Sequence, residues 1–451
     1  MKNAWAFVVK RYYLPAMSAV AALVLWRNYY AQGMQGLLPY YLDFKRIILS
    51  GFDPAAAING TPTFPMWGYG WVLLITESKL PILLAQNALA MVAVWSFFRY
   101  VDSHRVMPRE ASASMKILLT ISIPWYVIHS VMWPYSVSVS LIVLSVVLFL
   151  RSFPSDGNFV DLLISGILFG FLLNFRSDYY LMPLCIIALA LPVERFKKIA
   201  VIRGAAWILS CYLVLVPWAL YSKHVTDHYL LASTNGGHVF FIGLGILPDN
   251  KWGITPVDSD PTMHALIRAH FGENKPSVVY ESDRFLMAEF KRRVSDDPVE
   301  YGRKVMYSLV QAISGGVYSG ELYERPDCFP RCLEVYRAAR SGLLRDPVNS
   351  LGTVEPVHIV QLFSKVFGIV VIFLSFGLCP VVLLDATRHR SLFGLLVILI
   401  IGYQLLINVL AYQMTTYTSN VYFFHVANLC YGVYVVKAWW AGNLAKRSTG
   451  G

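Results

Sequence analysis

The sequence has 451 residues, of which 56% are hydrophobic and only 14% are charged, whereas a soluble protein carries about 25% charged residues. Together with a mean hydropathy of +0.52, this composition excludes an ordinary soluble protein and predicts a polytopic membrane protein. The net charge of +11 does not indicate a nucleic-acid partner, because basic residues gather on cytoplasmic loops and contact anionic membrane lipids.

Ten apolar stretches are candidates for membrane-spanning helices, because a bilayer core of about 30 Å requires about 20 apolar residues per helix. The first stretch is too long for a signal peptide and lacks a small-residue cleavage site, so we expect an uncleaved helix. The predicted spans are residues 12–31, 80–98, 117–133, 135–150, 159–174, 179–193, 204–221, 366–384, 392–412 and 419–437. The expected fold class is therefore an all-α bundle of about ten transmembrane helices.

Lys and Arg residues divide unevenly between the two sides of this predicted bundle. With a cytoplasmic N-terminus, 17 of them lie in cytoplasmic segments and four lie in short outer loops. The four outer residues are Lys45, Arg46, Lys79 and Arg176. By the positive-inside rule, we expect both termini in the cytoplasm.

This orientation places two large regions outside the cytoplasm. The first outer loop is residues 32–79, and a second region, residues 222–356, follows the seventh span. We therefore expect an N-terminal transmembrane module in residues 1–221, a periplasmic loop subdomain in residues 222–356, and C-terminal transmembrane helices in residues 357–451.

The loop subdomain is expected to be mainly helical. Asp297 fits a helix N-cap, Pro298 fits the first helical position, and Glu300 fits the third position of a capping box. The apolar residues that follow at helical spacing are Val305, Met306, Leu309, Val310 and Ile313. We expect this helix and its neighbours to pack on the membrane helices.

Two cysteines, Cys328 and Cys332, lie in a polar part of the subdomain with C-x3-C spacing, whereas the other four lie in apolar stretches. A disulfide is possible in an oxidising compartment, and two free thiols are the alternative. The spacing alone is weak evidence for zinc, because no His pair accompanies it.

The first outer loop carries two acids and a basic pair: Asp43, Lys45, Arg46 and Asp53. A carboxylate at headgroup depth can act as general base on an acceptor, and a neighbouring cation can hold a phosphate leaving group. The alternative is that Asp43 and Asp53 are helix N-caps or solvated loop acids.

A short outer loop, residues 174–180, contains Arg176 and Asp178 as its charged residues. The planar guanidinium of Arg binds two phosphate oxygens at once, which makes Arg176 a candidate phosphate ligand. The alternatives are an Arg176–Asp178 ion pair and an Arg side chain that extends to the lipid headgroups.

After the seventh span, the run Ser-Thr-Asn-Gly-Gly-His at residues 233–238 combines hydroxyl, amide and imidazole groups with two glycines. Asn235 and His238 are candidates for binding a sugar or a phosphate. A plain turn is the alternative for the run, and a structural role is the alternative for His238.

In these residues the chain resembles the GT-C superfamily of polyprenyl-phosphate-dependent glycosyltransferases, in particular the bacterial aminoarabinose transferases and protein O-mannosyltransferases. The resemblance covers about residues 10–320 and lies in the order of the features. That order is a first helix, an acidic first outer loop, a Pro/Gly-rich approach to the second helix, an Arg in a short outer loop, and "PW…STNGG…IG" before the large loop.

The resemblance implies an inverting enzyme in the inner membrane of a bacterium. Its donor would be a polyprenyl-phosphate sugar, its acceptor an envelope glycan, lipid or protein, and membrane lipids would surround it. No cofactor is implied, and a divalent metal is not excluded. The family's catalytic base falls on Asp43, while phosphate binding falls on Arg176 with help from Lys45 or Arg46.

The chain departs from the family pattern at two places in the first outer loop. Asp43 is followed by Phe44 instead of Glu, so the second carboxylate is open between Asp53 and Asp178. Thr61-Pro62 and Phe64-Pro65 stand where many relatives place a Lys before the prolines.

Two other functions fit a chain with many spans and a large outer loop. An O-antigen polymerase or ligase would use arginines of the large loop, which contains Arg284, Arg292, Arg293, Arg325 and Arg331. A transporter or flippase for lipid-linked glycans would need paired charges or broken helices in corresponding halves. Neither feature is found in the sequence.

Overall fold

The computed structural model of the protein describes residues 2–31, 38–132, 134–273, 275–314, 356–412 and 421–449. Across these ranges the regular secondary structure is helical. The predictions for Cys328 and Cys332, and the candidate arginines Arg325 and Arg331, lie outside the described residues.

The helices of the N-terminal half are α1 Lys2–Ala31, α2 Leu38–Leu49, α3 Gly68–Ile75, α4 Lys79–His104, α5 Arg109–Ile121, α6 Ile123–His129, α7 Pro134–Ser152, α8 Phe159–Phe175, α9 Met182–Val193, α10 Lys198–Leu213 and α11 Val216–Thr226. The remaining helices are α12 Gly236–Gly243, α13 Pro261–Phe271, α14 Tyr280–Asp296, α15 Pro298–Ser314, α16 Pro356–His389, α17 Leu392–Leu410 and α18 Tyr422–Thr449. Short 3-10 turns cover Pro54–Ala56, Ser177–Tyr179 and Leu244–Ile246.

The protein is a multi-pass membrane protein by the length and hydropathy of its described helices. Four stretches are long and apolar enough to cross a bilayer on their own: α4, Val366–His389 of α16, α7 and α17. Two bent pairs, α5–α6 and α10–α11, raise the number to six if each pair is one span. The described part of each of the ten predicted stretches overlaps a helix or a bent pair, but several of these helices are shorter than a full span, so the predicted number of ten is not confirmed.

Proline explains both bent pairs. α5 and α6 meet at 60°, and Pro124 lies in the first turn of α6. α10 and α11 meet at 44°, and Pro217 lies in the first turn of α11. A proline cannot donate a backbone hydrogen bond and clashes with the preceding turn, so it starts a new helix more easily than it continues an old one.

Small residues let the membrane helices pack closely. A Cβ atom on Gly170 of α8 would lie 2.4 Å from the carbonyl oxygen of Cys211 on α10, so only glycine fits there. On the other side of α8, the hydroxyl of Ser145 donates to the carbonyl of Ser165 at 2.8 Å. Packing of small residues and hydrogen bonds between helices replace the hydrophobic driving force, which is weak between helices in lipid.

The helices α12–α15 form a subdomain with a hydrophobic cluster of its own. The fully buried members of this cluster include Phe241, Leu244, Met263, Ile267 and Leu286. The mainly helical character predicted for this region holds for its described part.

The predicted N-cap at Asp297 is confirmed, but the capping box is only half formed. Oδ1 of Asp297 accepts a hydrogen bond of 3.0 Å from the backbone N of Glu300. The Glu300 carboxylate does not return to the N-cap and instead accepts from the backbone N of Lys251 at 3.1 Å and from Arg303 at 2.7 Å. Arg303 offers a charged donor one turn away, which is a stronger partner than the N-cap amide.

Candidate functional site

Asp43 lies on α2 with both carboxylate oxygens hydrogen-bonded. Oδ1 accepts from Nη1 of Arg46, one turn later on the same helix, at 2.8 Å. Oδ2 accepts from the backbone N and from Nδ2 of Asn59, at 2.8 and 2.7 Å. The Asp43 side chain is 1% exposed, whereas Asn59 lies at the surface. The carboxylate therefore ties α2 to the α2–α3 loop (residues 50–67) through the backbone N and the side-chain amide of Asn59, while Arg46 supplies a charged donor from α2 itself.

The two basic residues after Asp43 have different partners. Nζ of Lys45 lies 2.5 Å from Oε1 of Glu77, just before α4. Arg46 pairs with Asp43, yet its side chain is 46% exposed. Of the two, only Arg46 therefore presents a cation both to Asp43 and to the surface.

The chain leaves α2 through a strained turn. Gly51 and Phe52 both have positive φ angles, 77° and 70°. A bulky side chain rarely adopts this conformation, and it is maintained only where the surroundings favour it. Here the Phe52 ring packs against Trp67 and Tyr221, with ring centroids 5.5 and 6.4 Å away.

Asp53, the second predicted acid, is an N-cap. Its Oδ1 accepts from the backbone N of Ala55 at 2.9 Å, at the start of the turn Pro54–Ala56. The side chain is exposed. Of the two interpretations of Asp53 offered by the sequence, the structure therefore shows the helix N-cap.

Arg176 and Asp178 form a bidentate ion pair between α8 and α9. Nε and Nη2 of Arg176 donate to the two oxygens of Asp178 at 2.8 and 2.5 Å. The guanidinium lies over the ring of Tyr135, 4.6 Å from its centroid. The Arg176 side chain is only 10% exposed. A phosphate could therefore form two hydrogen bonds to the guanidinium only by displacing the Asp178 carboxylate.

Tyr41 brings α2 close to this ion pair. It precedes Asp43 by two residues and is buried. Burial raises the pKa of Tyr41, neighbouring Tyr135 raises it further, and Arg176 lowers it. Tyr41 on α2 and Arg176 in the α8–α9 loop are therefore neighbours, although the sequence places them in separate outer loops.

The polar segment before α12 binds to both of these loops. The backbone N of Thr234 donates to the carbonyl of Thr63 at 3.2 Å, and the two hydroxyls are 2.8 Å apart. The hydroxyl of Ser233 lies 3.1 Å from that of Ser177 in the α8–α9 loop. Asn235 accepts from Ser233 at 2.6 Å. The structure thus connects the three segments from which the candidate residues come.

His238 is buried between a hydroxyl and a carboxylate. Its Nε2 lies 3.0 Å from Oδ1 of Asp258, and its Nδ1 lies 2.8 Å from the hydroxyl of Ser277. An ionised carboxylate only accepts, so Nε2 donates to it. Asp258 is 90% exposed, and the Ser277 side chain is buried. A nucleophilic serine site has its carboxylate buried behind the histidine, so this triplet does not have that arrangement.

Asp283 caps the start of α12 and completes this junction. Its Oδ1 accepts from the backbone N of Gly237 and of His238, at 2.6 and 3.3 Å. Burial raises the pKa of Asp283 to about 6, although these two hydrogen bonds and the charge on His238 act to lower it. The hydrogen bond from His238 lowers the pKa of Asp258.

Sequence reasoning missed four residues of this site: Asn59, Asp258, Ser277 and Asp283. Their contacts join positions 16 to 46 residues apart, which no local pattern shows. Two weak signals existed. Asn59-Gly60 is a turn dipeptide, and the Gly236-Gly237 pair indicates a close backbone approach.

Three described candidate arginines of the large loop, Arg284, Arg292 and Arg293, lie on α14. Arg284 donates to Tyr280 at 2.9 Å, and Arg292 pairs with Glu289 and Asp296 at 2.8 and 3.0 Å, so both are engaged by their own helix. Arg293 lies over the Phe241 ring of α12, with its guanidinium carbon 5.3 Å from the ring centroid.

Among the described residues, no group of three or more His, Cys, Asp or Glu side chains is placed to hold a metal ion. A search of protein-family models, of curated proteins and of solved structures finds no match to the chain.

Proposed function

We propose that this protein is an inverting, GT-C-type membrane glycosyltransferase. It would transfer one sugar from a polyprenyl-phosphate donor to an envelope glycan, lipid or protein. In this proposal about ten helices cross the inner membrane of a bacterium, both termini are cytoplasmic, and the site faces the periplasm.

The observation that supports the proposal most is the pairing of Asp43 with Arg46. A carboxylate and a cation lie one turn apart on a short helix, and they are joined at 2.8 Å. Glycosyl transfer from a lipid phosphate needs a base for the acceptor and a cation for the leaving phosphate. The Thr234 segment is hydrogen-bonded both to the α2–α3 loop and to the loop that carries Arg176, so these three segments lie next to one another.

Asn59 marks the position of the acceptor in this proposal. Its Nδ2 donates to Oδ2 of Asp43, as an acceptor hydroxyl would. When the acceptor replaces this amide, its proton passes to Oδ2 of Asp43 while its oxygen forms a bond to the anomeric carbon. The bond from that carbon to the phosphate oxygen breaks, and the phosphate keeps the electron pair. Attack from the opposite face inverts the anomeric centre.

Arg46 is the better placed of the candidate phosphate ligands. Arg176 is already paired through two hydrogen bonds, and Lys45 is held by Glu77. Arg46 uses one nitrogen on Asp43 and is half exposed. The Arg176–Asp178 pair would then shape the site next to the phosphate.

Replacing Arg46 and its basic neighbour Lys45 in separate variants tests this assignment. Arg46→Gln is expected to raise the KM for the lipid-phosphate donor about tenfold or more, since a charged hydrogen bond contributes about 1.5–3 kcal/mol. Lys45→Gln is the matched control and should change KM less than about twofold, because it breaks an exposed pair. Steady-state transfer in proteoliposomes measures both. Equal effects of the two variants would remove Arg46 from the phosphate site.

The reaction itself is tested by the mass of envelope glycans in cells with and without the protein. Loss of one sugar unit from one envelope component is the expected result, and it would identify donor and acceptor. Loss of a whole polymer would favour a polymerase or ligase instead. Accumulation of an untransferred lipid-linked glycan inside the cell, in the absence of the protein, would favour a flippase.

A further inference from the structure

Helix α15 places charged residues inside and apolar residues outside. Glu300 and Lys304 are fully buried. Val299 and Met306, on the opposite side, are 73% and 60% exposed. A helix at the surface of a water-soluble subdomain has the reverse arrangement, so the exposed side of α15 does not match an aqueous environment.

Polar partners at the end of a membrane helix account for the buried charges. Nζ of Lys304 donates to the carbonyls of Val409, Leu410 and Ala411 at 2.8, 2.8 and 2.7 Å. The last carbonyls of a helix have no partner within it, and a cation there also interacts favourably with the helix dipole. Lys304 therefore anchors α15 to the C-terminal end of α17.

Beyond this anchor, α15 continues along the membrane helices. Ser308 and Ala312, one and two turns after Lys304, are also buried, and α15 packs against both α17 and α16. The helix α16, on which α15 packs, also carries exposed apolar side chains, including Val370 and Phe373.

The charges of α15 are confined to its first two turns. Glu300, Arg303 and Lys304 are followed by residues 305–314, which carry no charged side chain. Ten helical residues are about 15 Å long, which is about half of a bilayer core of 30 Å. The uncharged part of α15 has the length of one leaflet.

We propose that α15 is embedded in the lipid leaflet on the subdomain side. Lipid acyl chains would contact Met306 and the uncharged turns, while Arg303 would lie at headgroup level. The sequence places this segment in the periplasmic loop subdomain, packed on the membrane helices. The inference concerns the membrane boundary and is independent of the proposed enzymatic activity.

Quenching by brominated lipid tests the position of α15. Met306→Cys, in a background with the native cysteines replaced, is labelled with an environment-sensitive fluorophore and reconstituted in phosphatidylcholine vesicles. Lipids brominated on the acyl chain should quench this label at least twofold, as they should at Phe373→Cys on α16. Lys291→Cys on α14, which is exposed and charged, is the control and should be quenched little.

The proposal is tested by comparing the quenching at Met306→Cys with that at Phe373→Cys and at Lys291→Cys. Quenching like that of Phe373→Cys supports the proposal, and quenching like that of Lys291→Cys overturns it. A label shielded from both lipid and aqueous iodide would also overturn it, because it would mean a protein contact. Val299→Cys, near the charged end, should be quenched less than Met306→Cys, and it provides a second position if the first variant does not fold.

Discussion

Asp43→Asn is expected to lower the rate of sugar transfer by about 10²–10⁴-fold, the usual contribution of a general base. The amide has nearly the same shape, and its oxygen can still accept from Arg46 or Asn59. It cannot take a proton from the acceptor hydroxyl. The loss should therefore appear in kcat. The new NH2 group faces a donor of Arg46 or Asn59 in a buried position, so the fold should also lose about 1–3 kcal/mol of stability. Transfer from a labelled lipid-linked sugar in proteoliposomes measures the rate, and a melting curve in detergent measures the fold.

Asp53→Asn is the matched control, because it makes the same chemical change in the same loop. Asn is as good an N-cap as Asp, so the hydrogen bond to Ala55 is kept and transfer should stay within about twofold. Wild-type transfer by Asp43→Asn with normal expression would exclude Asp43 as the base. A large loss in both variants would show that the loop needs its negative charge rather than one carboxylate.

The helices of this protein were largely predictable, because apolar length and composition are local properties of the sequence. Even the two bends carried a local signal, in Pro124 and Pro217. What composition could not decide is the side of α15 that faces lipid. That depends on Lys304, whose partners lie more than 100 residues away on α17.

The candidate site was predictable as residues but not as contacts. Arg176 and Asp178 are two residues apart, and the sequence already offers their ion pair as one of the alternatives for Arg176. The contact of Asp43 with Asn59 could not be predicted from the sequence. It depends on the path that the α2–α3 loop takes after the turn at Gly51 and Phe52. A loop path of this kind is set by tertiary packing, and hydrophobic periodicity carries no information about it.

Gly237→Ala is expected to destabilise the α12–α15 subdomain by about 2–4 kcal/mol, the sum of an overpacked contact and a weakened cap. A Cβ atom on Gly237 would lie 1.9 Å from the carbonyl oxygen of Asp283 and 2.8 Å from the backbone N of Met287. Both are backbone atoms of α14, so no side-chain rotation relieves the clash. α14 must move away, and Asp283 then loses its hydrogen bonds to the start of α12.

Gly236→Ala separates this contact from the general effect of replacing a glycine. The nearest atom to its Cβ would be Cε of Met287 at 3.9 Å, an ordinary contact. This variant should be neutral or more stable by up to about 1 kcal/mol, since alanine has less freedom in the unfolded chain. Limited proteolysis of the subdomain and thermal unfolding in detergent distinguish the two variants.

Thr234 links this junction to Thr63, so Gly237→Ala should also reduce transfer, whereas Gly236→Ala should not. Equal stability of the two variants would mean that α12 and α14 are not in the close contact on which this junction depends.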